Sequence, residues 1–208
     1  MLISFIFSCF LLALSPGPDN LYLTAITSKS GKISGFSFLT GLLAGCIVHT
    51  IFLAFGLNEL VIKHEFFFEI VKYSGVFYLL YLSYQTYISE ILNFHSEKKI
   101  DKVSNYFKRG VLMNLLNPKV FLFFTLFFPN FIYSEIHSFK LQIFSLGIIF
   151  ITITFIVFGL IILFSDFIYN KFSSNNSFKV FARYFNMLVL LLIALLILFT
   201  ENNLTLTY

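Results

Sequence analysis

The sequence is poor in charged residues. Asp, Glu, Lys and Arg make up only 12% of its 208 residues, whereas 58% are hydrophobic and the mean hydropathy is +0.88. Because a soluble domain carries about 25% charged residues, this composition excludes an ordinary soluble protein and indicates one embedded in a lipid bilayer. The isoelectric point near 9.0 does not indicate nucleic-acid binding, since the basic residues lie in short segments between apolar runs.

Cysteine is also scarce. The two cysteines, Cys9 and Cys46, lie inside apolar runs and show no CxxC or Cys/His spacing. Thiols in such surroundings are typically buried and free. The sequence therefore predicts neither a disulfide nor a metal site.

Catalytic motifs are absent as well. An intramembrane enzyme needs a nucleophile with its base, paired carboxylates or a metal set. The sequence contains no GxSxG, no HExxH and no two acids close together inside an apolar run. We therefore expect neither an enzyme nor a bound cofactor. Three alternatives to a carrier of small polar solutes stay open: an enzyme site assembled from distant residues, a metal-ion exporter with a poor ligand set, and a non-transporting assembly subunit.

Six apolar spans follow one another along the chain, and each is long enough to cross a bilayer as a helix of about 20 residues. They cover residues 2–27, 33–57, 66–89, 109–133, 140–166 and 181–200. A polar segment, 93–109, separates one half (1–92) from the other (110–208). We predict an all-α integral membrane protein with a single transmembrane domain, in which the six helices form two inverted halves of three. No Lys or Arg precedes the first run, so we expect a retained span rather than a signal peptide.

The distribution of basic residues predicts the orientation. Ten Lys and Arg residues lie in or beside the first, third and fifth loops, and three lie on the opposite side. The ten are Lys29, Lys32, Lys98, Lys99, Lys102, Lys108, Arg109, Lys171, Lys179 and Arg183, and the three are Lys63, Lys72 and Lys140. Since Lys and Arg accumulate in cytoplasmic loops, we expect the odd-numbered loops in the cytoplasm and both termini outside.

Proline interrupts the first span of each half. Proline has no amide proton, so Pro16 and Pro18 free the carbonyls of the residues four positions before them, and Pro118 frees the carbonyl of Asn114. In hydrocarbon such a break survives only where protein or water satisfies the loose backbone. Broken helices in corresponding positions of inverted halves are typical of a transporter whose site lies near the bilayer midplane.

The two breaks share an order of cap, proline and charge: Gly17-Pro18-Asp19 and Asn117-Pro118-Lys119. The pattern predicts Gly17 and Asn117 as N-caps, each followed by a proline as the first residue of a second half-helix. An acid in a first helical turn is favoured by the helix dipole, whereas Lys119 opposes it. Positions that break a local rule are where function is expected.

At these residues the chain resembles the LysE/RhtB family of amino-acid exporters. The resemblance is carried by SPGPDN at 15–20, YLLYL at 78–82 and FKRGVLMNLLNPKVFLFF at 107–124, followed by FFPNF. It implies secondary export of amino acids or close derivatives from the bacterial cytoplasm, driven by the proton gradient, by a multi-pass protein of the inner membrane. Homo-oligomerisation is left open.

The charges at the breaks suit a zwitterion. We hypothesise that Asp19 binds the ammonium group of an amino acid and Lys119 its carboxylate, helped by backbone amides at the second half-helix. Asp19 would also carry a proton if it is neutral in one state. The alternatives are a permanent ion pair between Asp19 and Lys119, or a Lys119 side chain that reaches an interface.

Neighbouring polar residues complete the candidate site. Asn20, Asn114 and Asn117 could bind substrate through their amides, or serve only in capping and packing. His49 is a second candidate proton carrier, and a hydrogen-bonded packing histidine is an equally good interpretation. His49 lies on the same face of its predicted helix as Gly41 and Gly45. These two glycines form a GxxxG motif, which lets another helix approach closely.

Overall fold

The computed structural model describes residues 2–55, 65–88, 102–132 and 138–199, and the regular elements in these ranges are helices. The α-helices are α1 (Leu2–Leu14), α2 (Pro18–Ser30), α3 (Lys32–Phe52), α4 (Glu65–Ile88), α5 (Val103–Leu115), α6 (Pro118–Leu122), α7 (Phe139–Leu163), α8 (Ser165–Ser174) and α9 (Asn176–Leu198). After α6 the chain continues as a π-helical segment, Phe123–Phe127, and a 3-10 turn, Phe128–Phe131.

Between three and five elements of the described chain can cross a membrane. Three single helices are long and apolar enough: Lys32–Phe55, Phe139–Leu163 and Asn176–Leu198. Two helix pairs qualify as broken spans, α1 with α2 at a bend of 56° and α5 with the segment after Pro118 at 53°. The all-helical membrane architecture is therefore confirmed, with both breaks at the prolines. α4 occupies the third predicted span but is not among these candidates, so the arrangement of six spans in two inverted halves stays a prediction.

The connections are shorter than the sequence suggested. Helix α5 begins at Val103, inside the segment expected to be a polar loop, and most of the predicted fifth loop is helical, in α8 and α9. Asn175 ends that connection because its side chain accepts a hydrogen bond from the Phe178 amide at 3.2 Å and caps α9. Gly31 alone separates α2 from α3, with a φ of 85° that a side chain would strain. Most of the predicted second loop lies outside the described residues.

Glycines bring α3 against α5. A Cβ atom on Gly41 would collide with the backbone carbonyl of Phe107, and one on Gly110 with the backbone carbonyl of Phe38. A Cβ atom on Gly45 would collide with the side chain of Asn114. Without a hydrophobic driving force between helices in lipid, such close backbone packing is what holds them together. The contact places the second break beside the middle of α3.

Aromatic packing joins the two broken spans. The ring centroid of Phe5 in α1 lies 5.0 Å from that of Phe128, edge to face, and Phe124 stacks on Phe128 at 4.6 Å. All three side chains are buried. Because α1 packs against the chain that follows the second break, the two breaks face each other inside the protein.

Candidate functional site

The two charged residues of the breaks meet at Gly17. Its backbone is extended, with φ −136° and ψ −179°, and it precedes α2 as the N-cap. A Cβ atom built on Gly17 would lie 2.8 Å from Oδ1 of Asp19 and 3.3 Å from Nζ of Lys119. Asp19 and Lys119 are each only 5% exposed. The structure thus brings together a buried anion and a buried cation that are 100 residues apart in sequence.

Lys119 completes the end of α1. Its Nζ donates hydrogen bonds to the backbone carbonyls of Leu12 and Ser15, both at 3.3 Å. The Leu12 carbonyl is one of those that Pro16 and Pro18 deprive of a helical partner. The carbonyl end of a helix carries negative partial charge and favours a cation. Lys119 therefore opposes the dipole of its own helix but complements that of α1.

Only one of the two carboxylate oxygens of Asp19 has a hydrogen-bond partner. Its Oδ2 accepts a hydrogen bond from Nδ2 of Asn117 at 3.4 Å, whereas its Oδ1 is buried without a hydrogen-bond partner. Asn117 also caps α6, because its Oδ1 accepts from the Lys119 amide at 3.1 Å. One asparagine thus holds Asp19 and orders the turn that carries Lys119. In this structure Asp19 and Lys119, both among the described residues, hydrogen-bond to other groups and not to each other.

The carbonyl freed by Pro118 has its own partners. The Asn114 oxygen accepts from the Asn117 amide at 3.1 Å, and Nε2 of His49 lies 3.4 Å away. His49 donates to it in the tautomer that carries the proton on Nε2. The His49 ring also stacks on Phe124 at 5.4 Å between centroids. His49 therefore lies at the second break, hydrogen-bonded to backbone and packed against an aromatic ring.

Three residues at or beside the breaks carry a side-chain oxygen without a hydrogen-bond partner. Asn20 donates through Nδ2 to the Ala13 carbonyl at 2.8 Å, and Asn114 donates to Sγ of Cys46 at 3.5 Å. The Oδ1 atoms of Asn20, Asn114 and Asp19 are buried and have no hydrogen-bond partner. An unsatisfied buried acceptor costs about 1–3 kcal/mol, so these oxygens are suited to a ligand that donates, such as an ammonium group.

Side chains that bind metal ions do not come together in the described residues. No group of three or more His, Cys, Asp or Glu side chains among them could hold a metal ion. Cys9 and Cys46 are buried, free cysteines.

Two polar contacts at the first break were missed by the sequence analysis. Ser15, fully buried, donates to Oδ1 of Asn186 at 2.6 Å, and Nδ2 of Asn186 donates to Oγ1 of Thr86 at 3.4 Å. Asn186 belongs to α9 and Thr86 to α4, so this chain of hydrogen bonds ties the first break to two other helices. The signal for it was a single asparagine in the long apolar run of α9.

A helical membrane protein with two broken spans, whose buried polar residues meet at the breaks, has the architecture typical of a secondary carrier. The model of the LysE type translocator family matches residues 10–200, and the chain belongs to this family. This confirms the family resemblance seen in the motifs.

Two curated relatives carry the name homoserine/homoserine lactone efflux protein, one from Salmonella typhimurium and one from Salmonella typhi. Each is 30% identical over 123 residues, which is 59% of this chain and 60% of the relative. The chain thus matches less than two thirds of the length of these relatives. No solved structure matches the chain.

Proposed function

We propose that the chain exports amino acids or close derivatives from the bacterial cytoplasm, and that the substrate binds between the two helix breaks. The observation that carries this proposal is the buried pair of Asp19 and Lys119, which flank Gly17 without bonding to each other. Buried ionisable groups inside a membrane protein are costly and mark substrate or ion pathways. Membership of a translocator family and the efflux function in the names of two relatives support the same proposal.

The chemistry of the site matches a zwitterion. The ammonium group of an amino acid would donate to the unpaired Oδ1 of Asp19. Its carboxylate would accept from Nζ of Lys119, which would then give up the carbonyls of Leu12 and Ser15. A hydrogen bond from an ammonium group to a carboxylate is stronger than one to a neutral carbonyl, and this difference offsets part of the cost of leaving the Leu12 and Ser15 carbonyls without Lys119.

This exchange also gives the substrate a way to change the conformation. In the structure Lys119 holds the end of α1, on the far side of the 56° bend from α2. A ligand shifts a conformational equilibrium only through interactions that differ between the two states. Substrate carboxylate would remove the Lys119 contact with α1 and thereby release the first broken span.

Proton coupling is part of the proposal and has two candidate carriers. Asp19 is the first candidate, because it is a buried carboxyl group at the first break and one of its oxygens has no hydrogen-bond partner. His49 is the second candidate, because it contacts the carbonyl freed by Pro118 and a change in its protonation would alter that contact. The proposed setting is the inner membrane, with the odd-numbered loops in the cytoplasm.

The substrates named for the relatives differ in one useful way. Homoserine is a zwitterion, whereas homoserine lactone has an amino group but no carboxylate. Under the proposed mechanism Asp19 binds the amino group of both molecules, whereas Lys119 binds the carboxylate that only homoserine has. Asp19→Asn should therefore impair export of both compounds, while Lys119→Met should impair export of homoserine much more than that of its lactone.

An efflux assay tests the proposal. Cells that express the chain are loaded with dipeptides, or with homoserine and its lactone, and release into the medium is compared with that from vector controls. Asp166→Asn and Lys140→Met are matched controls, because both residues are exposed and lie away from the breaks. Faster release that is lost in Asp19→Asn but kept in Asp166→Asn is expected. If the expressed and membrane-inserted chain accelerates the release of no amino acid or derivative, the proposal is wrong.

A further inference from the structure

A cavity of about 350 Å³ adjoins the first break. Pro16 and Asn20, which line it, immediately flank the segment from Gly17 to Asp19. From the break the cavity extends between α2, α7, α8 and α9. Its size lies at the lower end of the range of about 300–1,000 Å³ that is usual for small-molecule sites.

The lining of the cavity is almost entirely apolar. Ile161, Phe178 and Phe185 contribute to its wall, and none of the described residues that line it is charged. Two polar side chains line it, those of Asn20 and Thr24. Thr24 donates to the backbone carbonyl of Asn20 at 2.8 Å. A charged side chain placed in such a cavity would lose its hydration without gaining a partner, which is strongly unfavourable.

Asn20 distinguishes this cavity from a simple gap between helices. The residue is only 7% exposed, and its Nδ2 is already used by the Ala13 carbonyl. Its Oδ1 is buried without a partner, so an unpaired acceptor lies beside the cavity, in the residue that joins the cavity to the break. A lipid chain offers no donor for this oxygen. A molecule with an amino group at one end and an apolar body at the other would pair the Asn20 oxygen and also fill the apolar cavity.

We infer that this cavity receives the side chain of the exported molecule and selects amino acids with aliphatic or aromatic side chains over those with charged ones. The inference rests on the proposed export function and adds its specificity. The backbone groups of the substrate remain at the breaks, near Asp19 and Lys119, and the apolar side chain extends along α2 into the cavity. Asn20, between the two, accepts a hydrogen bond from the substrate amino group.

Transport by the purified full-length chain in proteoliposomes tests the inference, with L-leucine, L-phenylalanine, L-alanine and L-lysine as probes. Leucine and phenylalanine should be transported at least about tenfold more efficiently than lysine, a discrimination within reach of an apolar pocket. Ala182→Leu should fill part of the cavity, because Ala182 lines it and is only 4% exposed. This variant should reduce transport of leucine about tenfold and that of alanine less than twofold. The matched control is Leu188→Phe, which adds volume on the exposed side of the same helix.

The outcomes separate the inference from the function on which it rests. Transport of all four amino acids without preference, or an equal loss for leucine and alanine in Ala182→Leu, would overturn the inference and leave the export function standing. An unchanged leucine rate in a correctly inserted Ala182→Leu would mean that the cavity holds lipid instead. Transport of none of these four amino acids would overturn the inference, and it would overturn the export function as well if homoserine and its lactone are not transported either.

A binding measurement covers the case in which Ala182→Leu does not insert. A cysteine introduced by Phe185→Cys should react with a maleimide, because Phe185 lines the cavity and is partly exposed, and the parent chain, whose two cysteines are buried, supplies the background. L-Leucine should slow this reaction, whereas L-lysine at the same concentration should not. Equal protection by both, or by neither, contradicts the inference.

Discussion

Nζ of Lys119 lies 3.3 Å from the backbone carbonyl oxygen of Leu12, a carbonyl that Pro16 leaves without a helical partner. A cation of the second broken span thus supplies the hydrogen-bond donor that the first broken span lacks. This relationship explains why a lysine is tolerated in the first turn of its own half-helix, where the dipole disfavours it. It also means that any anion that draws Lys119 away must act on the end of α1.

Replacing Lys119 should affect both stability and transport. Lys119→Met removes the donor to Leu12 and Ser15 and leaves buried carbonyls unsatisfied, which costs about 1–3 kcal/mol each. We expect a lower melting temperature in detergent and at least a tenfold loss of homoserine efflux. Lys119→Arg keeps the charge and should retain more stability than Lys119→Met. A Lys119→Met variant with the melting temperature and efflux of the parent would contradict both roles.

Exchanging the two charges separates a substrate clamp from a structural ion pair. In Asp19→Lys combined with Lys119→Asp, a simple ion pair would be preserved. The clamp would instead be reversed, and the contacts made by each residue, Asn117 to Asp19 and Lys119 to Leu12, would be lost. We therefore expect no export by the double variant at normal levels of membrane insertion. Full export activity would refute the clamp.

A methyl group at Gly17 should disturb the site without changing its charge. In Gly17→Ala the new Cβ atom would lie 2.8 Å from Oδ1 of Asp19, so the carboxylate would have to move. We expect efflux to fall about tenfold with little change in expression, because the backbone at Gly17 is one that alanine also adopts. The control is Gly159→Ala in α7, where a Cβ atom meets nothing within 4 Å. Equal efflux by the two variants would show that the space around Gly17 is not needed for transport.

The orientation can be tested with single exposed cysteines. Lys102 belongs to a loop predicted to be cytoplasmic and Lys140 to the opposite side, and both are exposed at helix ends. An impermeant thiol reagent added to intact cells should label Lys140→Cys and leave Lys102→Cys unlabelled until the cells are opened. The reverse pattern would overturn the orientation predicted from the basic residues. Labelling of both in intact cells would require a different number of spans between them.

The positions of the breaks and the identity of their polar residues could be predicted from the sequence, because proline and N-cap chemistry is local. Pro18 and Pro118 begin their half-helices and Asn117 caps the second, as the order of residues indicates. The ends of several helices could not be predicted so well. Val103 begins α5 inside a polar segment and Asn175 caps α9 inside a predicted loop, since a charged or Ser/Asn-rich sequence can also cover an exposed helix end.

By itself, the sequence determined that this is a helical membrane protein with two proline breaks and opposite charges beside them. Composition and backbone chemistry decide these features without reference to the rest of the fold. Only the tertiary structure decided which donor pairs with which freed carbonyl. Nζ of Lys119 donates to the Leu12 carbonyl, and Nε2 of His49 contacts the Asn114 carbonyl. The tertiary structure also decided that Asp19 keeps an unpaired oxygen and that an apolar cavity begins at Asn20. These relationships depend on how helices far apart in sequence pack together, and no local pattern of residues encodes that packing.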